Sequence, residues 1–309
     1  MDFRLLGTAA GGGVPQWNCA CRNCTQARLP GGLVSPRTQL QAAFRGERGW
    51  HLINASPDLR VQLERTAELC PSSNSIRNTP IESVILTTAE LDQVLGLLLM
   101  REFQRIRVYA TNTVRAILEA NSFFRTFTRI GDHLQWIDIN PSHSFVVDGV
   151  TIVPILSDDS LPHYARTSQM ETAAHAEIGV SLDDGTTRIA YTPALPNITE
   201  ELLRAYESCD CIFVDGTFWT DEELSSIQSG APRARDIGHV PLGGDDGTIA
   251  LLRQLKSPRK VLVHINNTNP VLNESSPEHA HAVAAGWEVA RDGWQLTPQS
   301  QPLQMTVGS

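Results

Sequence analysis

The sequence predicts a layered α/β fold built on mixed sheets, and three observations carry that expectation. Strand-like segments follow one another early in the chain, as in a meander. Further on, apolar strands alternate with amphipathic helical stretches, so the sheets are mixed rather than purely parallel. Polar groups then recur just past apolar strands: Asp58, Glu90 with Asp92, Asp215 and His264. In α/β folds that carboxyl edge is where ligands sit.

DFRLLG opens as a strand and breaks into TAAGGGVPQWN, where Gly11, Gly12 and Gly13 permit backbone conformations closed to other residues. Their spacing fails G-x-G-x-x-G, so the loop is read as one that approaches a metal or substrate closely, not as a dinucleotide cradle. TQLQAAFRG and WHLINAS are strands, the second turning at SPD into the helix DLRVQLERTA. IESVILTT is a buried strand, followed by an acidic loop and an amphipathic helix over 93–102. RIRVYAT is a strand and NTVRAILEANSFFRTF a helix. HLQWIDI, SFVVDGVTIVPIL, AEIGVSL and TTRIAYTPA are strands with DG and DDG turns between them. ITEELLRAYESC, GTIALLRQLK and HAHAVAAGW are helices, while CIFVDGTFW, KVLVHINNTN and WEVARDGWQLTP carry strands. Residues 1–298 read as a single domain and 299–309 as a loose C-terminal tail.

The chain has 309 residues, 41% hydrophobic and 19% charged, which suffices for one large core. A net charge of −9 without clustered Lys and Arg excludes a nucleic-acid partner. The longest apolar run, VLGLLLM, is far too short to span a bilayer, and no basic leader precedes an apolar stretch. The expected setting is cytoplasmic, away from the membrane, with reduced thiols; a homo-oligomer stays open.

WNCACRNCT, within residues 17–25, places Cys19, Cys21 and Cys24 at C-x-C-x2-C spacing. Three thiols crowded into a polar loop have little packing reason to be there, and the spacing suits a structural zinc whose fourth ligand comes from elsewhere. Cys70, Cys209 and Cys211 read as ordinary buried residues. Glu90 and Asp92 are hard oxygen donors before a helix; capping and dipole complementarity are their alternative explanation. His264 ends a very apolar strand and is followed by Asn266, Asn267 and Asn269, as in a built polar pocket. His239 lies in a glycine-flanked loop, and Asp215 follows four apolar residues, where a carboxylate needs a partner.

The stretches GTAAGGGVPQWNCACRNC, LINASPDLRVQL, ILTTAELDQVLGLLLMRE, VDGTFWTDEEL, IGHVPLGG and VLVHINNTNPVLNESSPE occur in order over nearly the whole chain. With them, the chain resembles the coenzyme PQQ synthesis protein B family of the metallo-β-lactamase superfamily. The resemblance implies an αββα sandwich of two mixed β-sheets flanked by helices, with a metal site along one sheet edge. The superfamily signature H-x-H-x-D-H falls on Thr88, Glu90, Asp92 and Gln93, and Gln93 stands where the family has histidine. His264 matches the late histidine and Asp215 the late aspartate. In related members with a similar cysteine loop, a histidine three residues after the late one completes the zinc shell; here that position is Asn267.

The resemblance implies biosynthesis of the redox cofactor pyrroloquinoline quinone (PQQ), with dioxygen-dependent hydroxylation of a tyrosine-derived, small-molecule or peptide-derived quinone precursor. On that reading Glu90, Asp92, Gln93 and His264 are the metal candidates for Fe(II). His239, Asp215 and His264 are the catalytic candidates, with His239 and Asp215 assisting proton transfer. Asp58, Asn266 and Asn269 line the substrate pocket. A second hypothesis is a non-catalytic carrier for PQQ or its precursor, favoured by Gln93. A zinc hydrolase, the third, suffers from having no histidine at 88, 90 or 93.

Overall fold

The computed structural model describes residues 1–73, 75–102, 105–125, 133–167 and 172–296, so the expected tail at 299–309 lies outside the described residues. The strands, in chain order, are β1 Phe3–Gly7, β2 Gln41–Arg45, β3 Trp50–Ile53, β4 Ile81–Ile85, β5 Ile106–Thr111, β6 Leu134–Ile139, β7 Phe145–Val147, β8 Val150–Ser160, β9 Thr172–Asp183, β10 Arg188–Thr192, β11 Cys211–Asp215, β12 Arg259–Val263, β13 Trp287–Val289 and β14 Trp294–Leu296. They form two sheets of seven, ordered β14-β1-β2-β3-β4-β5-β6 and β13-β12-β11-β10-β9-β8-β7. In the first, β1, β2 and β3 run antiparallel and β3 through β6 parallel. The second repeats the scheme, with β7 through β10 antiparallel and β10 through β13 parallel. Both sheets are therefore mixed, as the sequence pattern predicts.

The four layers follow from two-sided strand burial. Phe3, Phe44, Ile53, Ile85, Tyr191, Phe213 and Val263 meet between the sheets. The opposite faces of β3–β5 pack Leu52, Val84, Leu86 and Val108 under Val94, Leu97, Val114 and Leu118. Those of β11 and β12 pack Ile212, Val214 and Leu262 under Leu202, Tyr206, Ile249 and Ala282. Three of the covering helices start at side-chain caps: Thr111 accepts the Val114 N–H (3.2 Å), Thr199 that of Leu202 (3.1 Å) and Ser276 that of His279 (3.0 Å). No helix among the described residues is long and apolar enough to cross a membrane.

The helices expected over GTIALLRQLK and NTVRAILEANSFFRTF are shorter, Thr248–Leu251 and Asn112–Ala120, and one element changes in kind. The amphipathic helix over 93–102 is instead a short α-helix, Leu91–Val94, giving way to a 3-10 helix, Leu95–Met100. Gly96 explains the change. Its N–H donates to the Ala55 carbonyl (2.8 Å), and a Cβ there would lie 2.3 Å from the Ser56 oxygen. The close approach draws the segment onto the β3 exit and tightens it.

At the far end of the strands from the polar edge, one carboxylate clasps the sheets together. Asp148, in the β7–β8 turn at φ 49°, accepts the Arg48 and Gly49 N–H groups (2.9 and 3.1 Å), the Arg48 Nε (2.6 Å) and His51 Nε2 (3.1 Å). His51 Nδ1 in turn meets Ser83 Oγ at 2.7 Å. This Ser–His–Asp row is a structural tie, because Ser83 and His51 have no exposed surface for a substrate to reach. Burial alone would raise the Asp148 carboxyl, but the Arg48 guanidinium and the surrounding donors outweigh it and hold it well below the usual carboxylate range. Asp148→Asn is expected to cost about 2–4 kcal/mol by urea unfolding near neutral pH. A depressed folded-state carboxylate stabilises above its unfolded pKa and loses that contribution as pH falls toward its folded value. The gap between wild type and variant should therefore stay constant from about pH 7 to pH 5 and shrink only in stronger acid.

Candidate active site

Asp215 is the last residue of β11 and has no exposed surface. Its Oδ1 accepts the Thr217 N–H (2.9 Å) and hydroxyl (2.6 Å); its Oδ2 accepts the Leu195 N–H (3.0 Å) and meets His239 Nδ1 at 2.7 Å. The same Thr217 hydroxyl lies 2.9 Å from His264 Nδ1. His264 follows β12 in the left-handed region at φ 55°, which swings its ring off the strand toward the His239 ring, 5.5 Å away between centroids. Burial alone would depress the His239 imidazolium, but the Asp215 charge and hydrogen bond, with Asp92 and Glu90 beyond, raise its pKa above the ordinary value. Asp215, His239 and His264 offer ligand atoms within 4.8 Å of one another.

The acidic loop after β4 faces this cluster. Asp92 Oδ2 stands 3.7 Å from His264 Nε2. Glu90 is raised above the usual carboxylate range by burial first and then by Asp92. The glycine loop lies beside the acidic loop: a Cβ at Gly11 would sit 3.5 Å from the Asp92 side chain, and Gly12 and Gly13 take positive φ. Gln39, Pro57, Glu90, Leu91, Asp92, Leu95, His163 and Tyr164 line a cleft of about 410 Å³. Burial and the Glu90 charge push the Tyr164 phenol up to about 12, and its hydroxyl donates to the Ala89 carbonyl (2.6 Å). That bond straps the segment after β8 across the acidic loop.

The structure does not bring every predicted residue to the cluster. The amide oxygen of Gln93 is taken by Asn54 Nδ2, deep in the β3–β4 exit, so it points at a neighbouring amide. Asp58 spends Oδ2 on the Gln39 N–H and side chain (2.9 and 3.1 Å) and supports the cleft wall from behind. Asn269 donates to the Gly216 and Thr217 carbonyls and caps Val271, while Asn266 donates to the Thr268 hydroxyl in its own loop (2.6 Å). Both amides shape the loop and spend donors on protein. Thr217, Asn54 and Tyr164 are not legible as site residues from the sequence. Only Thr217, two positions after an apolar-flanked aspartate, carries a sequence signal.

The cysteine loop forms a second cluster, with Cys19, Cys21 and Cys24 Sγ within 4.8 Å of one another. Backbone N–H groups of Cys21, Cys24 and Gln16 donate to the sulfurs at 3.3–3.4 Å. The side-chain end of Asn267 caps the trio at 3.2, 3.7 and 3.3 Å. A tetrahedral zinc with Zn–S of about 2.3 Å separates its sulfurs by roughly 3.8 Å and an oxygen ligand from them by roughly 3.5 Å, so the four groups fit one ion once the amide presents its oxygen. Burial, with the neighbouring thiols, raises the Cys21 thiol. All six cysteines are free; Cys209 and Cys211 are buried as expected, whereas Cys70 is half-buried.

Residues 49–265 match the model of the β-lactamase superfamily domain. The coenzyme PQQ synthesis protein B of Bradyrhizobium diazoefficiens is 39% identical over 303 residues, 94% of this chain and 98% of that protein. That of Xanthomonas campestris pv. campestris is 36% identical over 304 residues, 96% of this chain and 100% of that protein. The crystal structure of Zn(2+)-bound PqqB from Methylobacterium extorquens superposes with a TM-score of 0.91 at 36% identity, covering 96% of this chain and 100% of that one. A diphosphatase of the PhnP family shares the fold at a TM-score of 0.67 and 18% identity, over 96% of each chain.

Glu223 braces the loop that carries His264 and Asn267. It accepts the Trp219 N–H (2.7 Å) and the Thr268 hydroxyl, and burial pushes its carboxyl up to about 7. Between about pH 4.5 and 7 the folded state therefore holds a proton the unfolded state has released, and stability falls as pH rises through that window. Glu223→Gln should gain on wild type by on the order of 2–3 kcal/mol from about pH 5 to pH 8, read by urea unfolding at each pH.

Proposed function

Because this chain belongs to the coenzyme PQQ synthesis protein B family of the β-lactamase superfamily, we propose that it acts in PQQ biosynthesis as an iron- and dioxygen-dependent hydroxylase of a tyrosine-derived precursor. The observation that carries this reading is the donor set beside the cleft. His264 and His239 each commit Nδ1 to the protein, which leaves Nε2 on the outward edge, and Asp92 and Glu90 stand opposite. Two imidazoles and carboxylate oxygen on one face, with open space beside them, suit ferrous iron better than a closed zinc shell. Those residues would hold the ion. When bound, it would pass electrons from an external reductant to dioxygen, so that one oxygen atom enters the ring and the other leaves as water.

The remaining residues act on the substrate. Pro57, Leu91 and Leu95 give the cleft an apolar wall against which an aromatic ring excludes water. Tyr164, with its phenol kept protonated, holds the acidic loop closed from above. The zinc belongs to the cysteine loop, where Cys19, Cys21, Cys24 and Asn267 would hold it as a structural ion. One observation favours the carrier reading instead: Gln93 gives its amide oxygen to Asn54, so the loop presents no imidazole of its own.

Metal analysis of protein purified without oxygen tests the two. The hydroxylase reading expects about one zinc per chain plus iron, and turnover of a tyrosine-derived precursor in the presence of dioxygen and a chemical reductant. Zinc alone, with precursor bound and unchanged under dioxygen, supports the carrier. Gln93→His, in which the imidazole gives up the Asn54 contact and turns toward Asp92, should raise iron affinity on the order of 100-fold. For the cysteine loop, Cys21→Ser is expected to lose that zinc and to lower Tm by on the order of 5–10 °C.

A further inference from the structure

We infer that Asp215 and Thr217 are positioning residues that fix the tautomers of both site imidazoles, and that Asp215 is not itself a metal ligand although it lies within ligand distance of both. The inference deepens the reading of the cleft as a metal-holding site, and it rests on counting protons and lone pairs. A carboxylate has four lone-pair positions and no donor. Asp215 meets four donors: two backbone N–H groups, one hydroxyl and one ring nitrogen, all within 3.0 Å. No position remains for an ion without breaking one of these bonds in a place that water does not reach.

The proton assignments follow from the same count. His239 Nδ1, 2.7 Å from Oδ2, must carry its proton, because the oxygen has none to give. Thr217 Oγ1 has two oxygens in reach, Asp215 Oδ1 at 2.6 Å and the His264 carbonyl at 2.9 Å, and its only hydrogen goes to the nearer, charged one. The hydroxyl then has nothing left to donate, and His264 Nδ1, 2.9 Å away, is obliged to donate to it. Each imidazole thus holds its Nδ1 proton and presents an Nε2 lone pair on the opposite edge, His264 toward Asp92 at 3.7 Å. One buried carboxylate orients two ligands, directly for His239 and through a hydroxyl for His264.

Proton–nitrogen correlation spectra of ¹⁵N-histidine-labelled, metal-free protein near pH 8 should show Nδ1–H tautomers for both rings. An Nε2–H tautomer at His264 would overturn the inference with no variant needed. Cobalt(II) titration of the full chain gives the second readout, because thiolate charge-transfer bands separate the cysteine loop from the nitrogen–oxygen site. Thr217→Val should weaken cobalt at the nitrogen–oxygen site about 10–100-fold, with Thr217→Ser restoring it, and Asp215→Asn should stay within the same range. His264→Gln should lose at least a further order of magnitude. Cobalt binding abolished in Asp215→Asn as completely as in His264→Gln, with the tautomers and fold intact, makes Asp215 a ligand and refutes the claim. Neither readout involves turnover, so loss of the hydroxylase reading would leave the assignment standing.

Discussion

A carboxylate with no exposed surface must find its donors inside the protein, and the rest of the polar edge is arranged around how Asp215 finds them. Two come from backbone, at Leu195 after β10 and at Thr217 after β11. The other two come from side chains that both stand next to His264, Thr217 by its hydroxyl and His239 by its ring. Placing a charge at the end of an apolar strand costs desolvation, and the geometry that offsets the cost is the same geometry that aims His239 and His264. Stability and site preorganisation are here a single set of hydrogen bonds.

The segment after β12 extends that economy to the second cluster. His264 turns off the strand at positive φ toward one site, and three residues later Asn267 reaches the three sulfurs. Between and after them, Asn23 binds the Asn267 and Asn269 carbonyls at 3.1 and 2.8 Å, and Asn269 binds the backbone after Asp215. Ala9 bridges Gln39 on one side and Ile265 on the other, so the first sheet is stitched to the same segment. Asparagines serve because each amide offers both donors and an acceptor to irregular backbone that no ladder satisfies.

The fold is legible because its signals are local. Alternation between strands and helices, and the DG turn at β7–β8, need only neighbouring residues to be read, and a layered α/β fold follows; the αββα sandwich is what the resemblance implies and the two sheets bear out. The helix expected over 93–102 fails because the deciding contact, Gly96 against Ala55 and Ser56, joins segments far apart in the chain. The site is half legible for the same reason. Asp215, His239 and His264 stand out as polar residues in apolar or glycine-rich company. Thr217 gives little sign, since a threonine becomes a proton director only when a carboxylate and an imidazole from different strands flank it. Asn266 and Asn269 look like pocket residues, yet their partners are backbone and loop atoms that no spacing rule reveals.

What Gln93 does to the site is then an electrostatic question. The two imidazoles come from the second half of the chain, while the acidic loop contributes only Glu90 and Asp92. Two carboxylates held close in a partly buried place resist ionising together, which is why Asp92 adds to burial in raising Glu90. A protonated histidine at position 93 could have answered that charge; a neutral amide bound to Asn54 leaves it standing. His239 answers part of it, with its own proton affinity raised by the same acids. The remainder falls to a cation, and a divalent ion meeting Asp92 and the Nε2 edges would relieve the repulsion between the two acids. Losing an imidazole from the loop thus lowers the number of strong donors while leaving intact the electrostatic demand for a metal.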